Sequence, residues 1–268
     1  MQQIFAEHDV AVAFGGPATY LGTGGFGETW RVGDQAIKII HRESARVPRE
    51  IESLGRVDHP NVVRLLKAED VMVAGIRREV LCFDYIPGGD LEQGLREGRL
   101  LPVHELPAFL EGLLRGIQAL HQADVLHRDL KPGNVALRNG AWSEPVILDL
   151  GLARLLDMSS ITAYPAFMGT LPYMAPEQIE ARRVRKAVDL FAAGVLTRQA
   201  LTGQHPFHPP GADLQNVGAL LTRISAGPAP LPDEVPAPLR TLLDRMVSTA
   251  EHPRGSTRSC LRDLEDLQ

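Results

Sequence analysis

The chain has 268 residues, of which 44% are hydrophobic, and a formal net charge of −5. That length supports one or two packed domains with a sizeable core, while the mixed, slightly acidic charge leaves no basic face for nucleic acid. Two distant cysteines, Cys82 and Cys260, exclude a disulfide framework and suit a reducing cytoplasm, and no apolar run approaches the roughly 18 residues of a membrane span, so no anchor is expected in this chain.

In chain order, residues 1–84 read as mostly strand. Leu21-Gly22-Thr23-Gly24-Gly25-Phe26-Gly27 matches a glycine-rich phosphate loop, whose glycines let the backbone approach phosphate with no Cβ in the way. Strand-like runs follow at Glu28–Val32 and Gln35–Ile40, split by a Gly33-Asp34 turn. The second carries Ala36-Ile37-Lys38. Lysine is scarce (Lys38, Lys67, Lys131 and Lys186 only), so Lys38 and Lys131 mark places where a compact point charge is wanted. Apolar Ile51, Leu54 and Val57 at helical spacing predict a helix over Arg49–Arg56, stopped by His59-Pro60. Strands over Val62–Val73 and Arg78–Asp84 are joined near Gly75, and the Pro87-Gly88-Gly89 break marks a hinge.

Beyond the hinge the pattern turns helical. Leu106–Ala123 carries a wide apolar stripe, and Asp189–Leu201 is apolar nearly all round, as a central buried helix would be. Between them, Val135–Leu137 and Val146–Leu148 form a hairpin around Asn139-Gly140, while Pro206–Pro210 and Pro228–Pro238 read as loops. The stretch Leu126-His127-Arg128-Asp129-Leu130-Lys131-Pro132-Gly133-Asn134 holds an acid, an ammonium and a carboxamide within six positions, and Asp149-Leu150-Gly151 adds a second acid behind an apolar run. One carboxylate can take a hydroxyl proton while the other holds a divalent metal beside the amide, a division of labour suited to phosphoryl transfer. Gly169-Thr170-Leu171-Pro172-Tyr173-Met174-Ala175-Pro176-Glu177 completes the set.

These ordered motifs resemble the eukaryote-like (Hanks-type) serine/threonine protein kinases of bacteria, from about Tyr20 to about Leu264. The resemblance implies an α+β, bilobal protein kinase fold. A mostly β N-lobe with one regulatory helix would span residues 1–86, and a larger, mostly α C-lobe residues 87–268. It implies ATP and Mg²⁺ (with Mn²⁺ as a substitute), a protein substrate bearing Ser or Thr, and a homodimer for autophosphorylation. Asp129 would be the catalytic base. Lys131 would steady the migrating phosphoryl group, and Asn134 and Asp149 would hold the metal. Lys38 would contact the α- and β-phosphates, held by Glu50, which lies ten residues before Pro60, with Glu52 as the less favoured partner. Gly22, Thr23, Gly24, Gly25, Phe26 and Gly27 would cover the phosphates. Ala36 and Ala136 would sandwich the purine, Phe83 would stand as gatekeeper, Asp84 and Ile86 would offer hinge backbone groups, and Asp90 would reach the ribose.

Thr29 departs from the family's usual valine, and Leu150 from its usual phenylalanine. Leu54, Leu65, His127 and Leu150 match an internal apolar stack anchored by Asp189, which makes His127 structural. In the activation segment, Asp149 to Glu177, Thr162 is the expected autophosphorylation site, Arg128 its phosphate partner, Thr170 the residue that bonds the base, and Glu177 the partner of Arg254. Two other functions fit less well. A pseudokinase scaffold would need a lost catalytic position, and a small-molecule phosphotransferase would lack Ala175-Pro176-Glu177.

Overall fold

The computed structural model describes residues 3–24, 27–41, 55–149, 171–209, 211–213 and 216–267. Five antiparallel strands, β1 (Ala18–Gly24), β2 (Gly27–Val32), β3 (Gln35–Ile40), β4 (Leu65–Val73) and β5 (Ile76–Asp84), form one sheet in the order β1-β2-β3-β5-β4. The Gly33-Asp34 turn is present, with Gly33 in the left-handed region (φ 59°). The fourth strand starts at Leu65, three residues after the predicted Val62, because Val62 instead bridges to Ile147.

A helix not read from the sequence, α1 (Glu7–Phe14), precedes the sheet. Glu7 and Asp9 favour its positive N-terminal end, and Gly15 closes it in the left-handed conformation, donating its N–H to Ala11 O. Its apolar residues, Val10–Phe14, run consecutively with no helical stripe, but Val10 and the preceding Phe5 are buried with Trp30, Ile37, Ile39, Val80 and Cys82. This settles the two faces of the sheet. Side chains alternate along a strand, so Ile37 and Ile39 face α1, while Ala36, Lys38 and Ile40 face the other way, with Leu81 and Phe83, toward the helical half.

That half begins with α2 (Leu91–Arg96) and α3 (Leu106–Gln122). The apolar stripe of α3 is buried as its spacing requires, and Gly116 brings other chain onto it: a Cβ there would lie 2.7 Å from Asn61 O and 2.9 Å from Ile147 Cδ1. The short hairpin β6 (Val135–Leu137) and β7 (Pro145–Ile147) lies here, turned by Asn139 and Gly140, both left-handed. After α4 (Pro176–Ile179) comes α5 (Ala187–Thr202), buried on all sides. Then follow α6 (Val217–Ala226), α7 (Ala237–Met246), α8 (Glu251–Arg254) and α9 (Thr257–Glu265). Pro238, expected in a loop, sits in the first turn of α7, where a missing N–H does no harm. One apolar core runs from Ile40, Leu81 and Phe83 of the sheet to α3, α5, α7 and α9. The predicted helix over Arg49–Arg56 lies largely outside the described residues.

Candidate active site

The arms of the glycine-rich loop are β1 and β2, paired Thr23 to Glu28 and Gly24 to Gly27, with Thr23 Oγ1 donating to Gly27 O at 3.3 Å. Gly27 cannot be replaced without displacement, because a Cβ would press on the carbonyl oxygen of Ile39. Gly25 and Phe26 lie outside the described residues. Next to this strand, Lys38 pairs across β3 with Thr29 and Leu81, and Ala36 with Arg31 and Phe83. Lys38 is only 5% exposed, and its Nζ donates to Asp149 Oδ1. Glu50 and Glu52, the carboxylates considered for Lys38, fall outside the described residues; the partner present is Asp149.

The segment between α3 and β6 is irregular up to a 3-10 turn at Pro132–Asn134 and is tied from behind. The buried carboxylate of Asp189 on α5 accepts from His127 N at 3.0 Å and Arg128 N at 2.7 Å, and lies 2.8 Å from His121 Nε2. Burial pushes its carboxyl up, but the His121 hydrogen bond and charge, with the Arg128 N–H, bring it below the usual carboxylate range. Arg128 is held at φ 62°, and its Nε is buried with no hydrogen-bond partner among the described residues. His127 Nδ1 faces Asp129 N, a donor, and Nε2 faces Leu148 O, an acceptor at 2.8 Å. Those partners place the ring proton on Nε2 and make His127 a post between the two acidic segments.

Asp129 is thereby fixed at the front. Asn134 Nδ2 donates to its backbone O (2.8 Å) and to its Oδ2 (3.0 Å), and Lys131 Nζ stands 3.3 Å from the same oxygen. Leu148 N donates to Asn134 O at 2.9 Å, which sets Asp149 beside the amide. Asp149 itself takes a left-handed φ of 52° and keeps 39% of its side-chain surface open. Crowding by protein raises its carboxyl, and the Lys38 ammonium overrides this, leaving it below the ordinary value. Because Asn134 donates through nitrogen, its Oδ1 is the atom left for a cation. With the carboxylate of Asp149 this makes an oxygen donor pair that fits a hard divalent ion.

Around the cleft, Ala136 is buried on β6 and Phe83 on β5. Asp84 gives its own N–H to Arg64 O at 3.2 Å. Ile86 packs half-buried against the core. Asp90 caps α2 through Gln93 N at 2.7 Å and bridges to Ala136, a structural use of the carboxylate assigned to the ribose. Thr162, Thr170 and Leu150 lie outside the described residues. Glu177 and Arg254 meet as expected in a buried two-pronged pair at 2.6 and 3.0 Å.

Two supporting side chains were not found from sequence. His121 grips Asp189, and a lone polar residue on the apolar stripe of α3 was the available signal. Gln178 donates to Arg128 O at 3.2 Å and accepts from Ala175 N at 3.1 Å, linking the activation-segment end to the Asp129 loop; nothing in its local sequence marks it.

The profile of the protein kinase domain matches residues 18–264. The chain belongs to the protein kinase family. Similar relatives include the serine/threonine-protein kinase PkaA of Streptomyces coelicolor, 36% identical over 91% of this chain and 48% of the relative. The probable serine/threonine-protein kinase PkwA of Thermomonospora curvata is 34% identical over 83% of this chain and 30% of the relative. The inhibitor of nuclear factor kappa-B kinase subunit beta of Bos taurus is 35% identical over 70% and 27%. The kinase chain thus spans half or less of these relatives' length. No helix among its described residues is long and apolar enough to cross a membrane.

Proposed function

We propose that this chain is an ATP-dependent serine/threonine protein kinase that transfers the γ-phosphoryl group of ATP to a protein hydroxyl. The observation that carries it is the meeting of Lys38, Asp129, Lys131, Asn134 and Asp149 where the sheet faces the helical half. The relatives' names add support for the hydroxyl class.

In this reading the acceptor hydroxyl lies against Asp129, which orients it and takes its proton as the new P–O bond forms and the bond to ADP breaks. Lys131, on the same carboxylate oxygen, is placed to meet charge on the migrating phosphoryl group. Lys38 serves the α- and β-phosphates. Asn134 Oδ1 and Asp149 would hold magnesium, with manganese as a substitute; bound there, the metal supplies charge neutralisation across the phosphates. Ala36, Phe83, Ala136 and the backbone of Asp84 and Ile86 supply the purine slot. Thr29 lines the same slot, Gly22 to Gly27 close over the phosphates, and Asp90 borders the ribose.

The lobe boundary is drawn at residues 86/87, supported by the Pro87–Gly89 turn, whose Gly88 has φ 118°. Thr162 is the autophosphorylation site in this reading, for which two copies would pair; Arg128 Nε, buried with no hydrogen-bond partner among the described residues, is the support for a phosphate partner there. Two free, buried cysteines suit a cytoplasmic setting.

Wild-type protein with γ-labelled ATP, Mg²⁺ and a generic protein substrate is expected to label serine or threonine, and Lys38→Met or Asp129→Ala to lower transfer at least about 100-fold. Unchanged labelling in both variants would remove the kinase reading. Label on tyrosine alone would remove the hydroxyl class.

A further inference from the structure

Opposite residues in an antiparallel pair share a face. Thr29 shares the cleft face with Lys38, so Glu28 and Trp30 turn with Ile37 and Ile39 to the face under α1. Glu28 is a carboxylate with no solvent exposure in an apolar layer, which is unfavourable unless it is fully bonded.

Its partners come largely from the segment before α1. Ile4 N donates to Oε1 and Phe5 N to Oε2 at 3.3 Å, while Trp30 Nε1 donates to Oε2 at 3.2 Å. His41 Nε2 lies 3.8 Å from Oε1. Phe5 is buried beside the rings of that histidine, at 6.4 Å between centroids, and Arg78 holds His41 O at 3.3 Å. Glu28 therefore fastens the chain at residues 4–5 to the strand that carries Gly27 and Thr29. The same contact reaches His41, just past the end of the Lys38 strand.

We propose that Glu28 is a positioning residue for the nucleotide site. Together with the segment Ile4–Phe14 it clamps β2 from the side opposite ATP and holds the arms of the glycine-rich loop over Lys38. The clamp rests on the kinase reading for its effect on ATP, but not for its effect on β1 and β2. A carboxylate is needed because three N–H donors converge on it. The amide of Gln would turn a fourth donor into that set.

Two variants test this in the full chain. Glu28→Gln disturbs the acceptor. Ile4→Pro removes one donor from an exposed position and leaves β2 untouched. Steady-state phosphorylation over a range of ATP concentrations is expected to show KM for ATP raised about 3- to 10-fold in Glu28→Gln and less in Ile4→Pro, with kcat changed less than about twofold. Hydrogen exchange is expected to quicken in residues 18–24 and 27–32 and not in α3 or α5. Unchanged KM, an equal fall in kcat and kcat/KM, or exchange rising equally through α5 overturns the proposal. Should Glu28→Gln not fold, Ile4→Pro decides by the same criteria. A wild-type protein with no phosphoryl transfer sinks the kinase reading instead; exchange in β1 and β2 and calorimetric affinity for a non-hydrolysable ATP analogue then decide the clamp.

Discussion

The carboxylate of Asp189 gathers two backbone N–H groups and His121 in a site with no water access. A buried charge survives there only because it is fully bonded. Its folded pKa is depressed, so the stabilisation it confers is present above the unfolded carboxylate value, near 4, and is lost as pH falls through the folded value. Asp189→Asn keeps the shape but points an amide at an N–H. We expect it to lower unfolding free energy by about 2–4 kcal/mol at pH 7. The gap to wild type is expected to narrow as pH falls below about 4. Urea titrations at pH 7 and pH 3 measure both; an equal gap at the two pH values would contradict this account.

Short elements depend on borrowed partners. The four-residue α4 cannot hold itself, and Glu177 on it is fixed by Arg254 from α8. The guanidinium also donates to Ser248 O, Ala187 O and Thr249 O and lies 4.9 Å from the Phe191 ring centroid. Arg254→Met leaves the Glu177 carboxylate buried and alone, which we expect to cost about 3–5 kcal/mol. The Glu177→Leu/Arg254→Met double variant is expected to lose less than the sum of the singles. Chemical denaturation of all four proteins completes the cycle, and strict additivity would mean that the pair is not coupled.

Across the whole molecule, the sheet and the helices share one apolar core, and the polar side chains of the site come from both. Nucleotide bound between them should stabilise both halves together. ATP with Mg²⁺ at 100 times its Kd is expected to add about 2.7 kcal/mol and to raise the thermal midpoint, with the shift much reduced in Asp149→Asn. Thermal melts at several nucleotide concentrations check this, and a midpoint independent of ATP in the wild type would count against the site.

Local pattern determined much of this protein before any coordinates. The Gly33 and Asn139-Gly140 turns, the stripe of α3 and the all-round burial of α5 follow from turn chemistry and periodicity, and the site residues announce themselves by type and order. The short α1 escaped because its apolar residues, Val10–Phe14, run consecutively with no helical spacing, and it is held by Phe5 and Val10 docking on the sheet. Apart from Glu177 and Arg254, which the family resemblance paired in advance, which charges meet was decided by tertiary structure. Lys38 reaches Asp149 across 111 positions, His121 reaches Asp189 across 68, and Glu28 is an ordinary strand acid until residues 4–5 close over it. Periodicity reports which face a side chain takes, whereas pairing depends on distances that the packed core alone sets.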